Sequence, residues 1–154
     1  MVIRPAEEKD RAILVSLHIS EDIERFKEPA EVFRGWKLSA ISSRAQDVVL
    51  VAEDDGEVRG YFWGVAVRIF DYRIGIIFDL FVDPAMRRRG IGRRLLQSGV
   101  EEMRKLGVHR FWANTELRNA PTRALLESLG FQQSPEKVFY DLREPEARHE
   151  WANA

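Results

Sequence analysis

The chain has 154 residues, 45% of them hydrophobic and 32% charged, with a formal net charge of −1 and no cysteine. That length suits one domain with a sizeable core, and the near-neutral balance gives no global pull toward nucleic acid or an anionic membrane. The lack of cysteine excludes disulfide frameworks, thiolate metal sites and acyl transfer through a cysteine nucleophile.

In chain order, residues 2–4 read as a short strand closed by Pro5. Residues 6–17 carry Ala6, Ile13, Leu14 and Leu17 at helical spacing. A second amphipathic stretch follows Pro29, with Val32, Phe33, Trp36, Leu38 and Ile41 on its apolar side. From Asp47 the signal turns to strand: 48–52 is apolar and β-branched, 54–57 is a turn, and 58–69 resumes as strand. Asp55-Gly56 between two such runs predicts a hairpin. A third strand, 74–82, ends at Asp83-Pro84, and 71–73 joins it to the strand before.

Helix returns with Ile91, Leu95, Leu96, Val100, Met103 and Leu106, and Gly107 is its expected stop. Residues 108–114 are strand-like, 119–129 predict another helix stopped by Gly130, and 131–133 with 138–142 predict a closing strand pair. The expected order is β-α-α-β-β-β-α-β-α-β-β in one domain over 1–143, with a polar tail over 144–154. That order argues for an α/β (α+β) fold, a central mixed sheet with helices on its faces. No apolar run approaches the roughly 20 residues of a membrane span, and the opening residues lack the apolar stretch of a signal peptide, so a cytoplasmic address is expected.

The most informative segment runs from Leu80 to Leu96, where a strand ends, a loop crosses and a helix begins inside a glycine-containing turn. Helix starts carry free N–H groups and the positive dipole end, which together bind phosphate. Gly90 and Gly92 let an anion approach the backbone, and Arg87, Arg88, Arg89, Arg93 and Arg94 add charge-assisted donors. The loop is neither of two familiar types: no Lys-Ser/Thr follows the glycines, and no Gly-x-Gly-x-x-Gly follows the first strand.

Its Arg-x-x-Gly-x-Gly core, with Arg87, Gly90 and Gly92 at the defining positions, resembles the acyl-CoA-binding motif of the GNAT superfamily of N-acetyltransferases. A second block, from Asn119 through a helix to Gly130-Phe131, matches the family at the expected distance. With the element order, the resemblance extends through Leu142. It implies acetyl-CoA as acyl donor, no metal, and direct attack of a primary amine, from a small molecule or a peptide, on the thioester. It also implies that backbone groups of Leu80, Phe81 and Val82 pair with the pantetheine arm. The amides of Arg88, Arg89, Gly90, Ile91, Gly92 and Arg93 would cradle the pyrophosphate, with Arg87 nearby. Asn119 would hydrogen-bond the pantetheine or the acceptor, and Leu126 and Ser128 would line the cofactor side. Family members commonly form dimers.

Two departures from the family are visible. Leu126 stands where many members place a tyrosine as general acid, and Phe78 stands where some carry a glutamate that activates the amine. Tyr140, Tyr72 and Ser128 are the remaining candidates for the acid. Asp79 is the nearest carboxylate for a base. By strand alternation it points opposite to Phe78 and Leu80, which leaves open an active-site role or a structural one among backbone amides. Aromatics cluster in the first half (Phe26, Phe33, Trp36, Tyr61, Phe62, Trp63, Phe70, Tyr72), where family members wall the acceptor site. Glu21, Asp22, Glu24, Glu28 and Glu31 in that region would favour a cationic acceptor, but interleaved Arg25, Lys27, Arg34 and Lys37 read equally as a solvated face. His18, His109 and His149 show no metal-ligand spacing. Two readings compete with the enzyme: an acyl-CoA-binding sensor without catalysis, and a nucleic-acid patch. The acidic balance elsewhere and the absence of aromatics among the arginines weigh against the second.

Overall fold

The structure, a computed structural model, describes residues 1–17, 45–69, 71–135 and 137. The described strands form one five-stranded sheet in the order β1-β2-β3-β4-β5, the same as their order along the chain. They are β1 (Val2–Pro5), β2 (Ala45–Asp54), β3 (Glu57–Ile69), β4 (Tyr72–Val82) and β5 (Val108–Ala113). The first four pair antiparallel, and β5 lies parallel to β4. The expected mixed sheet is therefore present, and it is mostly antiparallel. Among the described residues three α-helices accompany it: α1 over residues 11–17, α2 (Ile91–Lys105) and α3 (Ala120–Ser128).

The β2–β3 hairpin turns where Asp-Gly predicted it, with Asp55 at φ 51° and Gly56 at φ 79°. Two successive positive φ angles match the right-handed twist of the flanking strands. The connection from β4 to its parallel neighbour requires a crossover, and α2 supplies it. One face of α2 is apolar, and Ile91, Leu95, Leu96, Val100 and Met103 on it are buried against Val48, Leu50, Ala52, Phe62, Ala66 and Ile77 of the sheet. Leu125, Leu126 and Leu129 of the α3 region pack onto the same cluster. Close packing here is enforced by Gly99, where a Cβ would stand 2.4 Å from the Phe62 ring.

The opposite sheet face carries a smaller cluster, Leu14 of α1 with Val51, Tyr61 and Phe81. Beside it lies a polar knot. Arg4 donates to both oxygens of Asp10, at 2.7 and 2.9 Å, and to Glu53 at 2.6 Å. Asp10 is almost fully buried and also accepts the Glu7 amide at 2.8 Å. The hydrogen bonds from Arg4, joined by the one from the Glu7 amide, outweigh burial and hold the Asp10 carboxyl below the usual range. The same contacts raise the Arg4 guanidinium above its ordinary value.

Two sequence expectations need correction. Helix does not begin at Ala6, because the Ala6 amide donates to Val49 of β2 (2.9 Å) and so extends the sheet. A 3-10 turn, Glu8–Asp10, intervenes before α1. Residues 131–133 are not strand. The Phe131 amide instead donates to the Leu126 carbonyl at 3.1 Å and the Gly130 amide to Glu127 at 3.0 Å, closing the end of α3 around Gly130 at φ 86°. The amphipathic stretch after Pro29, the strand at 138–142 and the tail lie outside the described residues.

Candidate functional site

The site begins at an irregularity in β4. Trp63 of β3 pairs with Asp79, but the next residue, Gly64, pairs with Ile77, so Phe78 is an extra residue opposite no partner. Such a bulge turns two consecutive side chains toward one face. The Phe78 ring accordingly stacks on Trp63, centroids 5.2 Å apart, and is half exposed. Alternation therefore fails between Phe78 and Asp79, although it holds between Asp79 and Leu80.

At the same point β4 changes its neighbours. Its ladder with β5 runs from Arg73↔Val108 to Ile77↔Ala113 and stops, whereas its ladder with β3 continues to Val82. Along Leu80, Phe81 and Val82, β4 is thus paired on one edge only among the described strand pairs. A segment of this kind offers backbone donors and acceptors to an extended ligand.

The loop that follows is braced by its own sequence. Asp83 accepts the Ala85 amide at 2.9 Å, donates its amide to the Arg59 carbonyl at 2.8 Å, and pairs with the Arg59 guanidinium at 3.3 Å. Pro84–Met86 forms a 3-10 turn. Arg87 folds back, donating from Nε to the Val82 carbonyl at 3.0 Å with its guanidinium 5.6 Å from the Phe81 ring centroid. Arg88 (φ 64°) and Gly90 (φ 77°) both take left-handed backbone, and Gly90 is the N-cap of α2. Alternating backbone hand gathers successive N–H groups into a concave anion-binding nest. The first turn of α2 continues that surface with the free amides of a helix start. Arg88, Arg89, Gly90 and Arg93 are exposed, and a Cβ on Gly92 would meet Leu125 and Val82 no closer than 3.6 Å. The arrangement is chemically suited to a phosphate or pyrophosphate.

The helix α3 meets this surface from the side. Arg93 donates to the Ser128 hydroxyl at 2.9 Å, and that hydroxyl donates to the Leu125 carbonyl at 2.7 Å. The sequence named both residues but not their bond. Asn119 is the N-cap of α3, its side chain accepting the Thr122 amide at 3.2 Å. Leu126 packs on the main core. Asp79 sits apart on the α1 face: its oxygens accept the Tyr61 hydroxyl and, at 2.9 Å, the Leu80 amide. Tyr140 lies outside the described residues. Sequence reasoning missed the bulge, the Trp63–Phe78 stack and the Tyr61–Asp79 bond. Apolar residues at both parities of β4 hide the first, and cross-strand pairing is invisible in a linear pattern.

Among the described residues no group of His, Cys, Asp and Glu could hold a metal ion, and no helix is long and apolar enough to cross a membrane.

The sequence profile of the Acetyltransferase (GNAT) family matches residues 12–131. An uncharacterised N-acetyltransferase of Bacillus subtilis, YhfO, is 31% identical over 94% of this chain and 99% of its own length. The L-methionine sulfoximine/L-methionine sulfone acetyltransferase of Salmonella typhimurium is 39% identical over 54% of this chain. The match spans 49% of that enzyme, so this chain covers about half its length. Among solved structures, an aminoglycoside acetyltransferase from an uncultured soil metagenomic sample superposes with a TM-score of 0.71. It is 22% identical and is matched over 93% of this chain and 97% of its own, a likeness of fold.

Proposed function

The chain belongs to the GNAT family of acetyltransferases, and from that premise we propose that it is an acetyl-CoA-dependent N-acetyltransferase acting on a primary amine of a small molecule or peptide. The observation that carries this reading is one continuous path. It runs from the one-sided edge of β4 after Phe78, through the nest at Arg88 and Gly90, to the first turn of α2. An extended arm with a pyrophosphate at one end suits that path. A relative named for L-methionine sulfoximine and L-methionine sulfone favours a small primary amine as acceptor.

When bound, acetyl-CoA would supply the thioester carbonyl that the amine attacks, with thiolate leaving. In this reading Leu80, Phe81 and Val82 hold the pantetheine arm by their backbone. The amides from Arg88 to Arg93 hold the pyrophosphate, and Ser128 keeps Arg93 over it. Arg87 braces the strand end through Val82. Asn119 fixes the start of α3, which lays Leu125 against Gly92. Phe78 and Leu126 carry no exchangeable proton, so the amine reacts in its neutral form and its own proton passes to the thiolate, directly or through water. Asp79, with both oxygens engaged between β3 and β4, takes the structural role.

Thiol release from acetyl-CoA, screened over amines, amino acids and peptides, tests the activity. Acceptor-dependent release is expected. A Gly90→Glu/Gly92→Glu double variant, placing two carboxylates in the nest, should weaken CoA binding about a hundredfold or more by calorimetry. Undiminished CoA binding in that variant would sink the loop assignment.

A further inference from the structure

The direction of the Val82 carbonyl follows from the β3–β4 register. In an antiparallel pair, facing residues alternate between exchanging both backbone bonds and exchanging none. Val82 faces Gly60, and the bond beside that pair runs from the Asp83 amide to the Arg59 carbonyl at 2.8 Å, one residue outside it on each strand. Val82 and Gly60 are therefore a pair with no bond between them, and the amide and carbonyl of Val82 point away from β3. They point to the edge that β5 has left, since its ladder with β4 stops at Ile77↔Ala113. The Arg87 side chain lies on that edge. Its Nε donates to the Val82 carbonyl at 3.0 Å, and its guanidinium carbon stands 5.6 Å from the Phe81 ring centroid.

Arg87 also adjoins the anion nest. Arg88, at φ 64°, follows it directly, and Arg87 is exposed, so its side chain can swing from strand to nest without opening the core. The two positions are chemically unequal. The Val82 carbonyl offers a guanidinium one neutral acceptor, whereas a phosphate offers charged oxygens in bidentate geometry. An anion in the nest draws Arg87 off the strand, and an empty nest leaves it there.

From this geometry we infer that Arg87 is a specificity-determining residue for the donor: it occupies the Val82 carbonyl until a diphosphate in the nest takes its guanidinium. The end of β4 thus opens to a ligand that brings a diphosphate and stays closed to a thioester arm that lacks one. The inference rests on the acetyl-transfer reading, which lays the pantetheine arm along this edge, and adds to it a link between two parts of one ligand. Nest and strand edge bind cooperatively, and each strengthens the other by the same factor.

The test divides the donor into its two parts and measures them by calorimetry on the full chain, with pantetheine as the arm and inorganic pyrophosphate as the anion. Wild-type protein saturated with pyrophosphate is expected to bind pantetheine about tenfold more tightly than protein without it. Arg87→Met removes the charge and the donors. Without anion, it should bind pantetheine about tenfold more tightly than the wild type, and pyrophosphate should change that affinity by less than about twofold. Its affinity for pyrophosphate alone should fall, and a gain and a loss in one variant separate the effect from misfolding. Pantetheine binding that pyrophosphate leaves unchanged in the wild type, or that is absent in both conditions, overturns the inference, as does coupling that persists in Arg87→Met. If the wild type fails to bind CoA itself, the acetyl-transfer reading falls and the inference with it. CoA binding without pyrophosphate coupling removes the inference alone.

Discussion

The two faces of the sheet are built on different principles. The α2 face is apolar throughout: Phe62, Ile77, Leu95, Leu96 and Met103 meet with no ionisable group among them. The α1 face interleaves a small apolar cluster with Asp10, Asp79 and the Tyr61 hydroxyl, each tied by hydrogen bonds. Packing on the first face is non-directional and depends on volume. Contacts on the second are directional and hold particular backbone positions, the entry to α1 and the bulge of β4. The first face supplies stability, and the second supplies geometry.

This contrast is broken most severely from the α2 side. Phe62→Ala empties the point where β3, α2 and Gly99 meet, and should cost about 3–5 kcal/mol by urea or thermal unfolding. A loss under about 1 kcal/mol would mean that this face does not carry the fold. On the other face, Asp10→Asn leaves Arg4 partly uncompensated and should cost about 2 kcal/mol at neutral pH, since Arg4 keeps some access to water. The same pair sets an acid limb. A carboxyl held low by folding contributes its full stabilisation above the unfolded value of about 3.9, and loses it as pH falls toward the lowered folded value. Unfolding midpoints measured from pH 6 downward should therefore fall less steeply for Asp10→Asn than for the wild type. Asp79→Asn is the smallest change, about 1 kcal/mol of stability with turnover within about twofold. A hundredfold loss of turnover at unchanged stability would transfer Asp79 from geometry to chemistry.

Much of this was legible in the sequence, for identifiable reasons. The β2–β3 hairpin follows from β-branched runs around Asp55-Gly56, and α2 from its apolar spacing and Gly107. The passage from β4 through a glycine-containing turn into α2 was readable because glycines, arginines and a strand-to-helix change coincide at Arg87 to Gly92. The bulge was not readable. Ile76, Ile77, Phe78, Leu80 and Phe81 are apolar at both parities, since β4 contributes to the apolar clusters on both faces, so one extra residue leaves no break in the pattern. The start of α1 and the segment after Gly130 were misread because backbone amides at Ala6 and Phe131 are taken by partners outside their local pattern. Cross-strand partners of this kind, such as Tyr61 for Asp79, leave no mark in a linear pattern.

Strand order equal to chain order has a consequence for how the molecule tolerates change. The chain leaves β1 at Pro5 and returns as β2 at Ala45, directly beside it in the sheet. The residues between connect two neighbours, and beyond the 3-10 turn and α1, which bury Asp10 and Leu14, they contribute no strand among the described residues. The entropy of closing such a detour grows only with the logarithm of its length. Changes of length between residues 18 and 44 are therefore expected to leave every ladder and the bulge in register. The fold thus separates a sheet held in register by its own ladders from a connection whose length the sheet does not dictate.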